Sequence, residues 1–424
     1  MHHIRFLNDC DKFSEYLFLS KFYYNEKVKR ERRAGGTGMI LRNVLMITFG
    51  FQIMIFATRP IMTLYASHLG ADTFLIGILA ATFAFFPLLF AIHAGKIADY
   101  FGDRTPLFLS NIGCAIGLTL PFLFPTLPSL FVSQAIVGIS HVFINVCMQN
   151  VLGKAATKEN RDHYFSIFST VVALASFIGP VVGGYLSEHV SYASVFIVAV
   201  IISVVPIGFS LLIPKVVGQK KQMAAEESGS SFTLLRIPLL RKALATSALV
   251  LYSRDIYVAY FPLYASHLGI SDSNIGWIVA IQGLAMVPVR FFLAKLAEKA
   301  GREKVLLFSI LTAGVSFIFI PFVSNEWWLL VLSAIMGVGL GCGQPLSLTT
   351  TYNASPKTRT GEVLGLRLAS NRLSQLIAPL FFGVIGSWGG LVAVFYISGA
   401  FLLGGAFLTK EKHSAAEQGS SISR

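Results

Sequence analysis

Ionisable side chains interrupt several long apolar segments of this sequence, and they are its strongest candidates for chemistry. Arg59 precedes a proline in the first segment, and Arg254 adjoins Asp255 in the seventh. A charged side chain at the centre of a membrane-spanning segment costs about 2.5–3.5 kcal/mol on insertion scales, so each one is a functional candidate. Asp255 is the only one of the 21 acidic residues well inside such a segment. Burial favours a neutral carboxylate and a nearby arginine favours an ionised one, so Asp255 is a candidate for binding and releasing a proton.

Spacing indicates which arginine pairs with Asp255. Adjacent helical residues point about 100° apart, so Arg254 does not face its chain neighbour. Arg254 lies nine residues before a Leu-Tyr-Ala-Ser-His-Leu-Gly heptapeptide, and Arg59 lies five residues before an identical one. The difference of four residues is about one helical turn, which places both arginines on similar faces of equivalent helices. We predict that Arg59 stabilises the Asp255 carboxylate in one conformation; a static structural ion pair is the alternative.

Polar residues recur along the fourth apolar segment with helical spacing. Gln134, Gly138, His141, Asn145 and Gln149 are separated by four, three, four and four residues and so share one face. This stripe indicates a water-filled cavity; hydrogen bonding between helices alone is the alternative. Further predicted members of the cavity are Arg59, Arg254, Gln282 and Gln344. Two arginines without neutralising partners favour anionic or electron-rich ligands.

The elements that must position these residues follow from composition. Hydrophobic residues make up 54% of the 424 residues and charged residues 13%, about half the share in a soluble domain. The mean hydropathy of +0.67 excludes a soluble enzyme with a small membrane anchor. Apolar runs of spanning length centre near residues 53, 84, 115, 140, 175, 202, 253, 285, 312, 338, 374 and 398. They predict an all-α polytopic membrane protein with twelve transmembrane helices.

The basic residues set the predicted topology. Of the 34 Lys and Arg residues, five lie inside apolar segments and the other 29 fall in the tails and in alternate loops. The opposite loops carry acidic residues and neither Lys nor Arg. The positive-inside rule then predicts that both termini are cytoplasmic. The net charge of +13 is explained by this topology, so no nucleic-acid partner is expected.

An internal repeat divides the chain. The heptapeptide Leu64–Gly70 recurs as Leu263–Gly269, and the offset of 199 residues also relates Asn145 to the amide residue Gln344. We predict two pseudo-symmetric six-helix bundles at residues 39–213 and 241–409, joined by a cytoplasmic linker at 214–240. An N-terminal extension, 1–38, and a tail, 410–424, are both expected in the cytoplasm. Met39 is an alternative start of translation.

Two such repeats resemble the major facilitator superfamily, whose halves are parallel repeats with substrate bound between them. The loop after the second segment resembles a family motif that the resemblance assigns to the cytoplasmic gate. It contains Gly95, Asp99, Gly102 and Arg104, and a weaker second copy contains Glu298, Gly301 and Arg302. Tyr100 stands where the family has an arginine, and Arg104 is displaced by one position. A purely topogenic loop is the alternative.

Two further stretches bear on coupling and direction. Gly179, Pro180, Gly183 and Gly184 match the family's antiporter motif, which favours export; ordinary close packing of helices is the alternative. Gln134 stands where the fourth helix of the family carries an arginine linked to proton transfer. Near the start of the eleventh segment, Arg367 and Arg372 are expected at the interface or the gate.

The resemblance implies a secondary active transporter and not an enzyme. We expect proton-coupled export of small organic molecules from a bacterial cell, with uptake of a small organic anion by proton symport as the alternative. The partners are then the substrate, protons and the lipids of the inner membrane, and we expect a monomer. The four cysteines lack metal-ligand spacing, and neither a metal nor another cofactor is predicted.

Overall fold

The computed structural model of the chain describes residues 38–156, 161–214, 231–353 and 360–408. The first half forms six helices: α1 Gly38–His68, α2 Thr73–Phe101, α3 Arg104–Leu123, α4 Leu127–Ala155, α5 Arg161–His189 and α6 Tyr192–Ser210. A short 3-10 helix, Ser231–Arg236, precedes the second half. Its helices are α7 Pro238–His267, α8 Asp272–Ala300, α9 Arg302–Phe319, α10 Glu326–Asn353 and a final stretch, Thr360–Leu408.

The final stretch contains two helices. Gly390 has φ 75° and ψ 170°, a conformation that side chains disfavour and glycine tolerates, and it interrupts the helix there. We call the two parts α11 (360–389) and α12 (391–408). The predicted set of twelve helices in two six-helix bundles is thereby confirmed. The predicted domain boundaries stay predictions, and α7 begins at Pro238, inside the expected linker.

Most of these helices are long and apolar enough to cross a membrane. By length and composition, the described residues contain ten such segments, and the last of them comprises both α11 and α12. Helix α7 is absent from the ten, and its apolar sequence is interrupted by Arg254 and Asp255. The least apolar span is therefore the one that carries the candidate proton site.

The repeat is visible in the turns. Gly70 after α1 and Gly269 after α7 have φ of 87° and 78°, and both amides bond to the carbonyl three residues earlier at 2.9 Å. Gly102 after α2 and Gly301 after α8 form a second related pair, with φ of 78° and 83°. A Cβ atom is strained at positive φ, so each copy of the repeat needs glycine at these positions. We call the membrane side of Gly70 and Gly269 the repeat-loop side and the opposite one the linker side.

Glycines bring the two halves together toward the repeat-loop side. A Cβ built on Gly77 of α2 would lie 2.5 Å from the Pro379 carbonyl oxygen and 3.0 Å from the Gly383 Cα of α11. A Cβ built on Gly184 of α5 would lie 3.1 Å from the Gly276 Cα of α8. The offset of 199 relates Gly77 to Gly276 and Gly184 to Gly383. The two seams between the halves are therefore equivalent copies of one backbone contact.

The other glycines of the antiporter-like motif also serve packing. Cβ atoms built on Gly179 and Gly183 would overlap Phe56 and Ala57 of α1. Only glycine permits helices to approach this closely. The glycines of the motif thus allow α5 to pack closely on α1 within the first half and on α8 of the second half. The link between this motif and export stays a prediction.

Candidate functional site

The centre of the site is an ion pair between the halves. Nη1 of Arg59 in α1 lies 3.1 Å from Oδ1 of Asp255 in α7, and the Asp255 side chain is 7% exposed. The predicted pairing of these two residues is therefore observed. A carboxylate this buried is stable in its ionised form only with a partner, and Arg59 supplies one from the opposite half.

Helix α11 completes the environment of Asp255. Nε2 of Gln375 donates a hydrogen bond to the second carboxylate oxygen, Oδ2, at 2.6 Å. Oε1 of Gln375 accepts from Nη1 of Arg372 at 3.0 Å. Sequence reasoning missed Gln375 and expected Arg372 at the interface or gate. Their spacing of three residues on one helix face was the available signal.

Two arginines of the site also lie over phenylalanine rings. The guanidinium carbon of Arg59 is 4.8 Å from the ring centroid of Phe83, and that of Arg254 is 5.4 Å from the centroid of Phe56. A guanidinium over an aromatic face is stabilised by the ring's quadrupole. Among the described residues, Arg254 has no ion-pair or hydrogen-bond partner, so its positive charge is not compensated by a contact of its own.

Two members of the polar stripe of α4, Gln134 and His141, lie beside this cluster. Buried Gln134 lines a cavity of about 20 Å³ together with Arg59 and Phe83, enough space for about one water molecule. The His141 ring lies 5.6 Å from that of Phe51 and 5.2 Å from that of Phe83. Its Nδ1 atom is buried and has no hydrogen-bond partner in the part of the chain that the structure describes.

Accessibility rises along this stripe toward the linker side. Gln134 is buried, His141 and Asn145 are partly exposed, and Gln149 is exposed. The Asn145 amide donates to the His141 carbonyl at 2.8 Å and so bonds within its own helix. Gln149 is exposed near the linker-side end of α4, and the predicted role of this stripe in a substrate cavity stays a prediction.

The predicted amides of the second half serve helix contacts. Nε2 of Gln282 in α8 lies 3.1 Å from the Met336 sulfur of α10. Gln344 of α10 donates to the Ser247 carbonyl of α7 at 2.9 Å and accepts from Nη2 of Arg367 at 2.7 Å. Contact of Gln282 and Gln344 with substrate stays a prediction, because in this conformation they connect helices of one half.

The predicted gate loops lie at the linker side. Gly102 ends α2 and Arg104 begins α3, whereas in the second copy Gly301 follows α8. Glu298 and Arg302 are exposed. The side chain of Asp99 and the surroundings of Gly95 lie outside the described residues. The latch role of this loop stays a prediction.

Asp103, a second acidic residue of the first gate loop, forms an ion pair with α4. Oδ2 of Asp103, a side chain 4% exposed, lies 2.6 Å from Nζ of Lys154 near the end of α4. Sequence reasoning gave neither residue a role, because their separation of 51 positions leaves no local pattern. The pair fixes the start of α3 against α4.

Comparison with known proteins identifies the family to which this chain belongs. The sequence profile described as Major Facilitator Superfamily matches residues 44–271 and 243–422. An uncharacterised MFS-type transporter of Methanocaldococcus jannaschii is 22% identical over 375 residues, which cover 86% of this chain and 96% of the relative.

A named relative and a solved structure agree with that match. The class H tetracycline resistance protein of Pasteurella multocida is 24% identical over 376 residues, covering 86% of this chain and 92% of that protein. A crystal structure of the peptide transporter POT has a TM-score of 0.74 at 16% identity, covering 87% and 93% of the two chains, which shows a shared fold. The chain is therefore a multi-pass membrane protein of the major facilitator superfamily, a secondary transporter and not an enzyme.

Proposed function

We propose that this chain is a proton-coupled transporter that exports small organic molecules by alternating access. The observation that carries the proposal is the buried Arg59–Asp255 pair, which joins α1 of one half to α7 of the other. In this conformation Oδ1 of Asp255 is paired with Arg59 and Oδ2 accepts a hydrogen bond from Gln375, an arrangement that stabilises the ionised carboxylate.

The pair links the proton to the movement of the halves. If one half rocks against the other, the contact between α1 and α7 lengthens and Asp255 loses its arginine. An ionised carboxylate left without its partner costs about 3–5 kcal/mol. Proton binding to Asp255 removes that penalty, so the halves separate readily only when the carboxyl group is neutral. The proton and the conformational change are then coupled by one residue.

Export is supported by two observations. A relative that covers most of the chain is described as a tetracycline resistance protein. The motif of Gly179 to Gly184 resembles that of antiporters and lies at a seam between the halves. The runner-up is uptake of an organic anion by proton symport, which the surplus of arginine over carboxylate at the site supports. We also propose that the linker side is cytoplasmic, as the distribution of Lys and Arg predicts.

Direction and coupling can be measured together. A growth screen of a deletion strain against toxic compounds first identifies a substrate. Inside-out vesicles with an acidified lumen should then accumulate that substrate if the protein is an antiporter, whereas a symporter would not be driven by this gradient. If accumulation instead requires a higher proton concentration on the side from which the substrate is taken up, the protein is a proton symporter and the proposal of export is wrong.

Asp255→Asn tests the coupling residue. Because asparagine cannot ionise, the variant should lose gradient-driven accumulation yet retain exchange of labelled for unlabelled substrate. The matched control is Asp72→Asn, which removes an exposed carboxylate at the start of α2 and keeps a residue that caps helices well. Full gradient-driven accumulation by a stably expressed Asp255→Asn protein would contradict the proposal.

A further inference from the structure

Positive charge exceeds negative charge at the centre of the molecule. Three arginines lie around Asp255, the one carboxylate that the described residues place there: Arg59 pairs with it, Arg372 is linked to it through Gln375, and Arg254 precedes it in α7. Arg290 of α8, which donates to the Gly341 carbonyl of α10, adds a further positive charge. With Asp255 ionised and paired with Arg59, the guanidinium charges of Arg254 and Arg372 remain uncompensated. Charges withdrawn from water are strongly unfavourable without counter-ions, so the site is incomplete without additional negative charge.

The contacts show which arginines are available. Asp255 is already bonded at both oxygens, to Arg59 and to Gln375. Arg372 has only the neutral amide of Gln375 as its hydrogen-bond partner among the described residues, and Arg254 has only the ring of Phe56. Guanidinium groups bind carboxylates through two parallel hydrogen bonds. Arg254 and Arg372 thus retain this capacity while Arg59 uses its own.

The aromatic residues of the site argue against a cationic substrate. An organic cation is usually bound over an aromatic face. Here the faces of Phe83 and Phe56 are already covered by Arg59 and Arg254. A cation would meet both arginines, and the described residues offer it no free carboxylate there, whereas an anion would compensate the arginines.

We infer that the substrate is a small organic dianion, with one acidic group bound by Arg254 and the other by Arg372. Arg59 remains the partner of Asp255. The inference rests on the proposed transport function and specifies its substrate class. The sequence analysis predicted that Arg59 and Arg254 together favour an anion, whereas this inference assigns anion binding to Arg254 and Arg372.

Binding to the purified full-length protein tests the inference without any gradient. The probes are terephthalate, its monomethyl ester, its dimethyl ester and the dication p-xylylenediamine, which keep one ring and vary the charge. Succinate serves as a second dianion of different shape. Thermal unfolding measured against probe concentration at constant ionic strength gives an affinity for each compound.

A dianion should stabilise the wild-type protein most, the monoanion less, and the neutral and dicationic compounds not at all. Arg254→Gln and Arg372→Gln should each weaken dianion binding by about 10- to 100-fold, the loss expected of one charge-assisted contact. Arg254→Lys and Arg372→Lys should restore part of it, because they retain the charge. Arg236→Gln, at an exposed position on the linker side, should bind as the wild type does.

Three results would overturn the inference. They are equal or greater stabilisation by the neutral or cationic probe, no stabilisation by either dianion, and unchanged affinity in both Gln variants. Asp255→Asn separates this outcome from the failure of proton coupling, since that variant should still bind the dianion. If dianion selectivity is observed but transport is not proton-coupled, the proposed function fails and the inference stands. If transport is proton-coupled but dianions are not preferred, the inference fails and the proposed function stands.

Discussion

The glycine seams give a direct way to shift the protein between its conformations. Gly77→Ala would place a methyl carbon 2.5 Å from the Pro379 carbonyl oxygen, 2.7 Å from the Tyr260 hydroxyl and 3.0 Å from Gly383 Cα. Ordinary contact begins near 3.4 Å, so the halves must separate by about 0.9 Å at this seam. Overpacking of this kind costs about 1–3 kcal/mol. The cost applies only while the repeat-loop side is closed.

The expected result is a change in the relative populations of the conformations that are closed and open at the repeat-loop side. A factor of ten corresponds to about 1.4 kcal/mol, so Gly77→Ala should favour the conformation open at the repeat-loop side by about 5- to 150-fold. Gly276→Ala acts on the equivalent seam, and the two effects should add because the seams share no residues. The helix-propensity gain of about 1 kcal/mol from Gly to Ala acts on both conformations and does not shift them.

Single cysteines report the change in a background without the native ones. Met62→Cys lines the small central cavity and is buried, whereas Gln149→Cys is exposed on the linker side. In Gly77→Ala, an impermeant maleimide should label Met62→Cys faster from the repeat-loop side and Gln149→Cys more slowly from the other. Gly208→Ala is the control, because no atom of the described residues lies within 4 Å of its added Cβ. Unchanged labelling of both cysteines in a folded Gly77→Ala protein would refute the closed-seam reasoning.

Two further predictions concern the linker side. Asp99→Asn should weaken the expected cytoplasmic latch, reducing transport at near-normal expression and changing cysteine labelling on both faces; equal accessibility before and after would dismiss the latch. Lys154→Met should lower stability by about 1–2 kcal/mol, because it leaves buried Asp103 unpaired although the half-exposed lysine is partly screened by solvent. The charge-reversed pair Asp103→Lys with Lys154→Asp should recover part of the melting temperature, and no recovery would mean that the pair is not what fixes α3 against α4.

Much of the architecture could be predicted from periodicity and repetition. Twelve apolar runs predicted twelve helices, and the identical heptapeptides identified the repeat of 199 residues that divides the chain into two halves. The same repeat placed Arg59 and Arg254 on equivalent helices, which led to the pairing of Arg59 with Asp255. Each of these inferences uses either the spacing of residues along one helix or the fixed offset of the repeat, and both can be obtained from a single sequence.

Contacts between distant helices could not be predicted in this way. Gln375 reaches Asp255 across 120 residues, and no repeat partner of the same type marks it. Lys154 and Asp103 meet because α4 packs beside α3, which depends on helix packing rather than on spacing. Arg372 was expected at the interface because its distance along α11 was counted from the helix start. The structure instead places it against Gln375, the residue of α11 that donates to the Asp255 carboxylate.

The charge of the site also bears on the direction of transport. Moving one elementary charge through 100 mV is worth about 2.3 kcal/mol, so export of a dianion from a cell that is negative inside gains about 4.6 kcal/mol. Uptake of the same dianion must overcome that amount, and electroneutral symport requires two protons. The described residues place one carboxylate, Asp255, beside the three arginines. A single carboxyl group suffices for an antiporter that the membrane potential already drives, but it supplies only half of the compensation that symport needs. The same arginines that made anion uptake an attractive alternative therefore favour export once the number of carboxylates is considered.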